Sequence, residues 1–229
     1  MDEIIYKVKE NQLFNGLNSI EIEKIFTCCK ANIQKYKDNQ AVFEKNDIIK
    51  NVGIVLEGEI NLVSQKYNGS RVIVTTLGLN DLFGEALIFS SARTSPYDLI
   101  SSGESKALFI PKTFFIEVCP NSCNFHKILI NNMLAILSDK IVMLNSKMKI
   151  LNAETIKGKI AVYFLSLYKK SNKLSFDIPM KRQELSEFLN VTRPSLSREL
   201  SAMQNDNIID IYRSSVKILD LEKLYELSE

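Results

Sequence analysis

The sequence predicts an α+β protein, with an antiparallel β domain in its first half and helices in most of the rest. Three observations support that prediction. Residues 32 to 110 hold short β-branched runs separated by turn residues, a long helical pattern follows to about residue 151, and the last third combines helices with short strands. Many short antiparallel strands form a barrel or a sandwich. With 229 residues, the chain is long enough for two modest domains.

The composition is that of a soluble globular protein, with 45% hydrophobic and 24% charged residues. No apolar run in the sequence approaches the roughly 20 residues that cross a bilayer. The N-terminus, MDEIIYKVKENQ, lacks the basic, apolar and small-residue succession of a signal peptide. We therefore expect a cytoplasmic protein that does not bind a membrane.

Arginine is concentrated near the C-terminus. Only six of the 29 basic residues are arginine, and four of the six lie in the last 50 residues: Arg182, Arg193, Arg198 and Arg213. Arginine suits bidentate hydrogen bonding to guanine and phosphate. The clustering therefore predicts a surface for double-stranded DNA in this part of the chain, although the net charge is only +2.

Cysteine and histidine give little support for a metal site. The four cysteines, Cys28, Cys29, Cys119 and Cys123, contain no C-x-x-C pair, and His126 is the single histidine. Structural zinc and iron–sulfur sites usually need four such ligands. We interpret the cysteines as ordinary buried thiols and expect no metal, no cofactor and no enzymatic activity. The alternatives are a cupin-like metal enzyme and haem ligation by His126 or a cysteine.

A short amphipathic helix precedes the strands, since residues 17 to 30 place four apolar residues at helical spacing behind a serine cap: Ile22, Ile25, Phe26 and Cys29. The predicted strand runs are NIQKYK, QAVFE, NVGIVLEGEINLVSQK, RVIVTTL, PYDLIS and SKALFI. Asn68-Gly69 between two of these runs predicts a hairpin, because a type I′ turn needs positive φ at both central positions.

The helical pattern from about Pro120 to Leu151 contains a heptad seam. Apolar residues alternate at spacings of three and four: Leu134, Leu137, Ile141, Leu144, Met148 and Leu151. One helix cannot bury a strip on the far side of a small domain. The seam therefore predicts a homodimer, and the alternative is a helix that lies on its own β domain.

The C-terminal part predicts a winged helix-turn-helix. A helix, ETIKGKIAVYFLSLYKK, is followed by a short strand in SNKLSFDIP, a helix in KRQELSEFL, a tight turn at NV and a second helix in TRPSLSRELSAMQ. The segment IIDIYRSSVKILD then forms two strands around a basic turn at Arg213-Ser214-Ser215. This order of helix, helix, turn, helix and β wing is the layout of that motif.

The helix TRPSLSRELSAMQ has one apolar side and one small polar side. Thr192 is the expected N-cap, and a proline in the first turn costs little. At about 100° per residue, Leu196, Leu200 and Met203 point inward, opposite Pro194, Ser197, Arg198 and Ser201. We predict that Arg198 contacts guanine, and the alternative is an ordinary solvated helix. The predicted DNA-binding residues are Thr192, Arg193, Ser195, Ser197, Arg198 and Arg213.

In this order, the parts resemble the Crp/Fnr superfamily of bacterial transcription regulators. The resemblance covers nearly the full length: a cap helix, a β-roll containing GIVLEGEI and DLFGEALIF, a dimer helix, then KRQELSEFLNVTRPSLSREL. It implies a cyclic-nucleotide-binding-like β-roll (a double-stranded β-helix) over residues 1–118, a dimerisation helix over 119–152 and a winged helix-turn-helix over 153–229. It also implies a homodimer on a pseudo-palindromic promoter site, a signal sensed by the β-roll, and RNA polymerase as a partner.

Two departures from the family pattern affect specificity. Arg193 and Arg198 match recognition-helix arginines, and Ser197 with Arg198 resembles the Ser-Arg pair of Fnr-like members. Pro194, however, stands where both groups keep a glutamate, and its side chain cannot accept a hydrogen bond from cytosine. The usual half-site sequence is therefore not expected.

The second departure lies in the sensory pocket. Gly84 and Glu85 match the glycine-glutamate pair of cyclic-nucleotide members, but the phosphate-binding arginine falls on Ser95, and Arg93-Thr94 comes two residues early. A buried phosphate without a cation is costly. We therefore expect an effector other than cyclic AMP, or none. The alternative is cyclic AMP bound by Glu85 and the shifted Arg93-Thr94 pair. The candidate effector residues are Gly84, Glu85, Arg93, Thr94, Ser95 and, on the dimer helix, Asn145.

Overall fold

The computed structural model of the chain describes residues 2–66, 69–92, 94–117 and 124–229. The chain divides into two compact units, Met1–Asp139 and Lys140–Glu229. The division falls within a single long helix, α5, which spans Asn124–Asn152. The helix occupies the position that the sequence predicts, and the two units are described separately below.

The first unit opens with three short helical elements: α1 (Asp2–Val8), a 3₁₀ turn (Gln12–Phe14) and α2 (Ser19–Cys29). The sequence predicts α2, but its predicted serine cap is wrong by one residue. The Asn18 side chain accepts a hydrogen bond from the Glu21 amide at 3.0 Å, and the Glu21 carboxylate accepts one from the Asn18 amide at 2.9 Å. Asparagine caps helices as well as serine does, so Ser19 becomes the first helical residue.

Six strands of the first unit form one antiparallel sheet. The strands are β1 (Asn32–Tyr36), β2 (Ala41–Phe43), β3 (Asn51–Gln65), β4 (Arg71–Leu77), β5 (Leu82–Phe83) and β6 (Asp98–Pro111). The main path runs β1-β6-β3-β4, while β2 pairs with β6 and β5 pairs with β3. Two short helices, α3 (Glu85–Phe89) and α4 (Thr113–Ile116), follow β5 and β6.

The runs PYDLIS and SKALFI belong to the single strand β6, not to two strands. Gly103 lies between them with φ of 76°, and Gly58 on β3 has φ of 72°. A Cβ atom on Gly58 would lie 2.3 Å from the Glu104 carbonyl oxygen, so glycine permits this close approach of the two strands. The pairing register shifts here and then continues, which a bulge achieves without ending either strand.

The hairpin between β3 and β4 is confirmed. Gln65 pairs with Arg71, and the Lys66 amide donates a hydrogen bond to the Ser70 carbonyl at 2.9 Å. Gly69 has the predicted positive φ, at 80°. Asn68 lies outside the described residues. The Gly69 amide donates to the Lys66 carbonyl at 2.9 Å, which makes Gly69 the last residue of the turn, so the predicted type I′ turn with Asn68-Gly69 at its centre is wrong.

The first part of α5 packs on the core of the first unit. Leu129, Met133 and Ile136 are buried in it together with the apolar side of α2. The Asn132 side chain donates hydrogen bonds to the carbonyls of Leu13 and Asn15, at 3.0 and 2.8 Å. This face of α5 therefore finds its packing and hydrogen-bond partners within its own chain.

The second unit contains four further helices and three strands. The elements are α6 (Ile156–Ser171), β7 (Ser175–Asp177), α7 (Arg182–Phe188), α8 (Arg193–Asn205), β8 (Ile209–Tyr212), β9 (Ser215–Ile218) and α9 (Leu221–Glu226). The strands form one sheet of order β7-β9-β8. The predicted order of elements is confirmed, while the closing helix α9 was not predicted.

Candidate nucleic-acid interface and effector region

A tight turn places α8 against α7. Asn190 adopts the left-handed conformation with φ of 53°, and the Val191 amide donates to the Ser186 carbonyl at 2.9 Å. Asparagine tolerates this conformation better than most residues that carry a side chain. The predicted turn at Asn190-Val191 is thus present, and it connects the two helices of the helix-turn-helix.

Thr192 caps α8, as the sequence predicts. The residue has extended backbone angles, and its hydroxyl accepts a hydrogen bond from the Ser195 amide at 3.3 Å. Pro194 lies in the first turn, where a missing amide hydrogen has no helical partner to lose. Thr192 as the N-cap, followed by Pro194 in the first turn, is therefore an ordinary helix start.

Burial of one side of α8 fixes which side faces solvent. Leu196, Leu200 and Met203 are at most 2% exposed and belong to the same core as Leu185 and Leu189 of the α7 region. The opposite side presents a mostly small, polar surface. Its exposed residues are Arg193, Pro194, Ser197, Arg198 and Ser201, with Ser195 partly buried.

Hydrogen bonds order part of this exposed surface. The Thr192 hydroxyl donates to Ser195 Oγ at 2.9 Å, and Arg198 Nη2 donates to the same oxygen at 3.3 Å. A guanidinium group carries five N–H donors, so Arg198 keeps donors for a base edge. The helix N-terminus adds partial positive charge that favours a phosphate near Thr192 and Arg193.

The hairpin of β8 and β9 forms the predicted wing. Arg213 lies at its tip with φ of 56°, and its guanidinium carbon lies 5.4 Å from the centre of the Tyr212 ring. Tyr212 is 71% exposed. Sequence reasoning named Arg213 and missed Tyr212, although an aromatic residue directly before an arginine in a basic turn is a visible signal.

Most of the predicted seam on α5 is exposed in the single chain. Leu134, Ile141, Leu144 and Met148 are 55–59% exposed. Leu137 and Leu151 are half-buried, and Leu137 packs on the core of the first unit. The exposed strip widens at Val142 and Met143, which are 63% and 67% exposed.

Gly84 and Glu85 begin the short helix α3. Gly84 is the N-cap with φ of 80°, and a Cβ atom there would lie 2.9 Å from the Asn51 carbonyl oxygen. Glu85 is only 6% exposed. Gly84 allows the backbone conformation that begins α3, and Glu85 places a carboxylate at the buried start of that helix.

Ser95 is engaged by its own loop. It is 2% exposed, its hydroxyl donates to the Tyr97 carbonyl at 2.6 Å, and its amide donates to the Asp47 carbonyl at 3.0 Å. Thr94 forms an isolated β-bridge with Ile48. Arg93 lies outside the described residues, and Asn145 lies on the exposed part of α5 in the second unit.

A cleft of about 630 Å³ opens beside this loop in the first unit. Its lining includes Asp47 and Ile49, which contact Ser95 and the Gly84 region, and the rings of Tyr36 and Phe109. Burial raises the pKa of Tyr36 to about 12, and its hydroxyl donates to Gln34 Oε1 at 2.6 Å. The lining of the cleft therefore combines aromatic and polar residues.

The candidate metal ligands do not converge. No group of three or more histidine, cysteine, aspartate or glutamate side chains comes together in the parts of the chain that the structure describes. His126 is buried, stacks on the Phe114 ring at 4.3 Å and hydrogen-bonds to the Phe114 carbonyl through Nε2. Cys29 is buried but Cys28 is exposed, so the prediction of buried thiols is wrong for Cys28, which lies on the outer side of α2. Cys119 and Cys123 lie outside the described residues.

Two family models match the chain. Residues 33–122 match the cyclic nucleotide-binding domain, and residues 158–227 match the Crp-like helix-turn-helix domain. The chain belongs to the Crp/Fnr superfamily. The predicted fold class is confirmed, and this Crp/Fnr protein is a DNA-binding transcription regulator. Helices α7 and α8, their turn and the wing all lie within the second match.

Two curated relatives align with most of this Crp/Fnr chain. The cyclic AMP receptor protein of Thermus thermophilus is 21% identical over 223 residues, which are 96% of this chain and 98% of the relative. The transcriptional activator protein FnrL of Cereibacter sphaeroides is 23% identical over 203 residues, which are 84% and 79% of the two chains. The crystal structure of the Thermus thermophilus catabolite activator protein matches with a TM-score of 0.53 and 18% identity, over 95% of this chain and 98% of that one. This last likeness shows the fold.

Proposed function

We propose that this Crp/Fnr regulator binds a pseudo-palindromic promoter site as a homodimer, with one α8 in the major groove of each half-site. The observation that carries the proposal is the exposed, hydroxyl-rich face of α8, from which Arg198 projects beyond the first turn and Arg193 lies at the margin. A surface of this kind fits the roughly 12 Å major groove. Arg198 contacts a guanine, and Ser195 and Ser197 hydrogen-bond to bases or phosphates. Thr192 and Arg193 hold the phosphate backbone, and Arg213 contacts the DNA from the wing.

The half-site differs from that of relatives with a glutamate at the position of Pro194. Proline offers no side-chain acceptor, so cytosine is not read there, and the ring adds only an apolar contact. Bound at a promoter, the dimer acts through RNA polymerase, which we propose as its partner. The proposal includes no catalytic activity.

The homodimer forms along α5. Four exposed seam residues at heptad spacing support a helix-to-helix contact between two copies. By length and composition, α5 could also cross a membrane. Charged residues within it, including Asp139, Lys140 and Lys147, favour the two-helix contact, since each is costly at the centre of a bilayer. The proposed location is therefore the cytoplasm.

The signal sensed by the β-roll is proposed to be something other than cyclic AMP. The position that supplies the phosphate-binding arginine in cyclic-nucleotide members is Ser95, a neutral, buried residue whose hydroxyl is committed to Tyr97. A cyclic phosphate buried beside it has no cation at that position. The alternative, cyclic AMP held by Glu85 and Arg93-Thr94, is favoured by the buried position of Glu85 and by the match to the cyclic nucleotide-binding domain.

Calorimetry decides between the two effector proposals. Titration of the purified protein with cyclic AMP up to millimolar concentration is expected to give no heat of binding. A saturable heat that disappears in Glu85→Gln and in Arg93→Gln contradicts the proposal and supports the alternative.

Selection from a random DNA library tests the DNA-binding proposal. The full-length protein is expected to enrich two inverted half-sites whose centres lie about 10 bp apart, one helical turn, or a multiple of it. Enrichment of a single half-site contradicts the homodimer, and the absence of any enriched sequence contradicts sequence-specific binding.

A further inference from the structure

The tip of the wing is a two-residue turn with a strained first residue. Tyr212 pairs with Ser215 across the hairpin, which leaves Arg213 and Ser214 as the turn. Arg213 has φ of 56°, in the left-handed region. Both turn types that suit a two-residue hairpin require positive φ at this first central position, where glycine, asparagine and aspartate are favoured. An arginine here carries a conformational penalty that glycine avoids.

The rest of the chain uses asparagine for this conformation. Of the eight described residues with positive φ that are not glycine, six are asparagine, and Lys30 and Arg213 are the others. Lys30 ends helix α2, where a left-handed residue is common. Arg213 occupies a turn position for which asparagine or glycine is the better residue. A strained residue at a surface tip points to a use for its side chain.

The neighbouring tyrosine adds nothing to the core of the hairpin. Ile209, Val216 and Ile218 supply that core and are at most 2% exposed, whereas Tyr212 is 71% exposed. The Arg213 guanidinium lies over the Tyr212 ring, with 5.4 Å between its carbon and the ring centre. This contact orients the guanidinium at the tip, so the two side chains form one ordered unit on the outside of the wing.

The hairpin is hydrogen-bonded to α8, and its length is close to the width of the major groove. Gln204 Nε2 at the end of α8 donates to Asp210 Oδ1 on β8 at 3.2 Å. From Asp210 to Arg213, three residues at about 3.3 Å each extend roughly 10 Å, close to the 12 Å width of the major groove. With α8 in the major groove, a hairpin of this length is long enough to reach the adjacent backbone and minor groove.

We propose that Tyr212 and Arg213 together read the minor groove beside each half-site, with Arg213 inserted and Tyr212 holding it in position. The partner chemistry is duplex DNA with A·T-rich flanks, because A-tracts narrow the minor groove and deepen the negative potential that attracts arginine. This inference rests on the proposed function, and it adds a specificity that phosphate contacts alone do not have.

Fluorescence anisotropy tests it with two duplexes that share one central sequence, taken from the selection above, and differ in flanks of A-tract or G·C-rich DNA. The wild-type protein is expected to bind the A-tract duplex about tenfold more tightly, the size of one good base-pair preference. Arg213→Ala is expected to bring the ratio of the two affinities near one, and Tyr212→Ala is expected to lower this ratio part of the way toward one. Lys217→Ala, which removes the other cation of the hairpin, is the control and is expected to weaken both duplexes equally.

A second readout separates a DNA role from a structural one. Arg213→Gly relieves the strain at the tip, so its Tm is expected to rise by about 2–4 °C while the flank ratio still falls to one. Two results overturn the inference: equal affinity of the wild type for the two duplexes, or an equal loss of affinity for both in Arg213→Ala. Either result would mean that Arg213 contacts only phosphate. Arg198→Ala is expected to lose the half-site preference and keep the flank ratio. A failure of the selection counts against the proposed function. In that case the two duplexes are built on one arbitrary central sequence, and the ratio of the two affinities still tests the wing.

Discussion

The Arg198 guanidinium donates a hydrogen bond to the Ser195 hydroxyl at 3.3 Å, one turn earlier on the exposed face of α8. Ser195 Oγ also accepts a hydrogen bond from the Thr192 hydroxyl at 2.9 Å, so cap, serine and arginine form one connected group. Ordering a long side chain on binding costs about 0.5–1.5 kcal/mol. Because the hydrogen bond to Ser195 already orders the Arg198 side chain in part, some of this free-energy cost is incurred before DNA binds.

Arg198→Ala is expected to weaken binding to the selected DNA site by about 1–3 kcal/mol and to relax preference at one base pair in each half-site. The reason is the loss of a bidentate contact to guanine. Anisotropy titrations against the selected site and its single-base variants measure both effects. Ser201→Ala, on the same exposed face, is the matched control and is expected to change affinity little. An unchanged affinity for Arg198→Ala rules out base reading by this residue.

Thr192→Ala is expected to lower the stability of the second unit by about 1 kcal/mol, because it removes the acceptor for the Ser195 amide. Thermal unfolding followed by circular dichroism measures the change. Thr192→Ser retains a capping hydroxyl and is expected to stay within a few tenths of a kcal/mol of the wild type. Equal loss in both variants would mean that the methyl group, not the cap, stabilises the helix start.

Leu144→Glu is expected to turn the proposed dimer into a monomer, because it places a charge in the apolar seam of α5, where Leu144 is 57% exposed in the single chain. Sedimentation velocity at micromolar concentration shows the change in mass. Ser146→Glu, two residues along the same helix and away from the heptad positions, is the control and is expected to remain a dimer. A wild-type protein that sediments as a monomer, or a Leu144→Glu variant that stays dimeric, contradicts the seam.

Glu57 gives the first unit a pH-dependent contribution to stability. Hydrogen bonds from Lys106 and Lys7 lower the pKa of Glu57 from 4.5 to about 2 in the folded chain. A lowered folded pKa stabilises the fold above the unfolded pKa, and the contribution is lost as the pH falls from about 4.5 to about 2. Because the carboxylate side chain is 37% exposed, the contribution is expected to be only about 0.5–1 kcal/mol.

The measurement compares urea unfolding of wild type and Glu57→Gln between pH 7 and pH 2. The difference is expected to be constant above pH 5 and to vanish near pH 2. Glu23→Gln, at an exposed position of α2, is expected to show little difference at any pH. If the unfolding free energies of wild type and Glu57→Gln still differ at pH 2, the charge of Glu57 is not the origin of the difference.

Cys29 is expected to resist alkylation in the folded protein. Burial raises the pKa of its thiol to about 12, so very little thiolate exists at pH 8. In a Cys28→Ser background, mass spectrometry after iodoacetamide treatment is expected to find Cys29 unmodified in buffer and modified in guanidinium chloride. Rapid modification in buffer contradicts a buried, inert thiol.

Local patterns were enough to predict α6, α7, α8 and the turn between α7 and α8, but not the closing helix α9. The cap at Thr192, the turn at Asn190-Val191 and the inward side of α8 follow from rules that act within a few residues. The prediction of PYDLIS and SKALFI as two separate strands is wrong, because Gly103 between them lies at a bulge facing Gly58 on β3 and does not end the strand. A bulge depends on the partner strand, which local sequence does not contain.

The sequence by itself determined the order of elements, the family and the exposed face of α8, because amphipathic spacing and turn chemistry are written into neighbouring residues. Only the tertiary structure decided which individual residues are buried, exposed or strained. It buried Ser95 in a loop where its amide donates to the distant Asp47 carbonyl, left most of the α5 seam uncovered, and gave Arg213 a strained backbone conformation at the wing tip. Burial and backbone conformation at these positions depend on the packing of the whole unit, and short-range sequence patterns do not encode that packing.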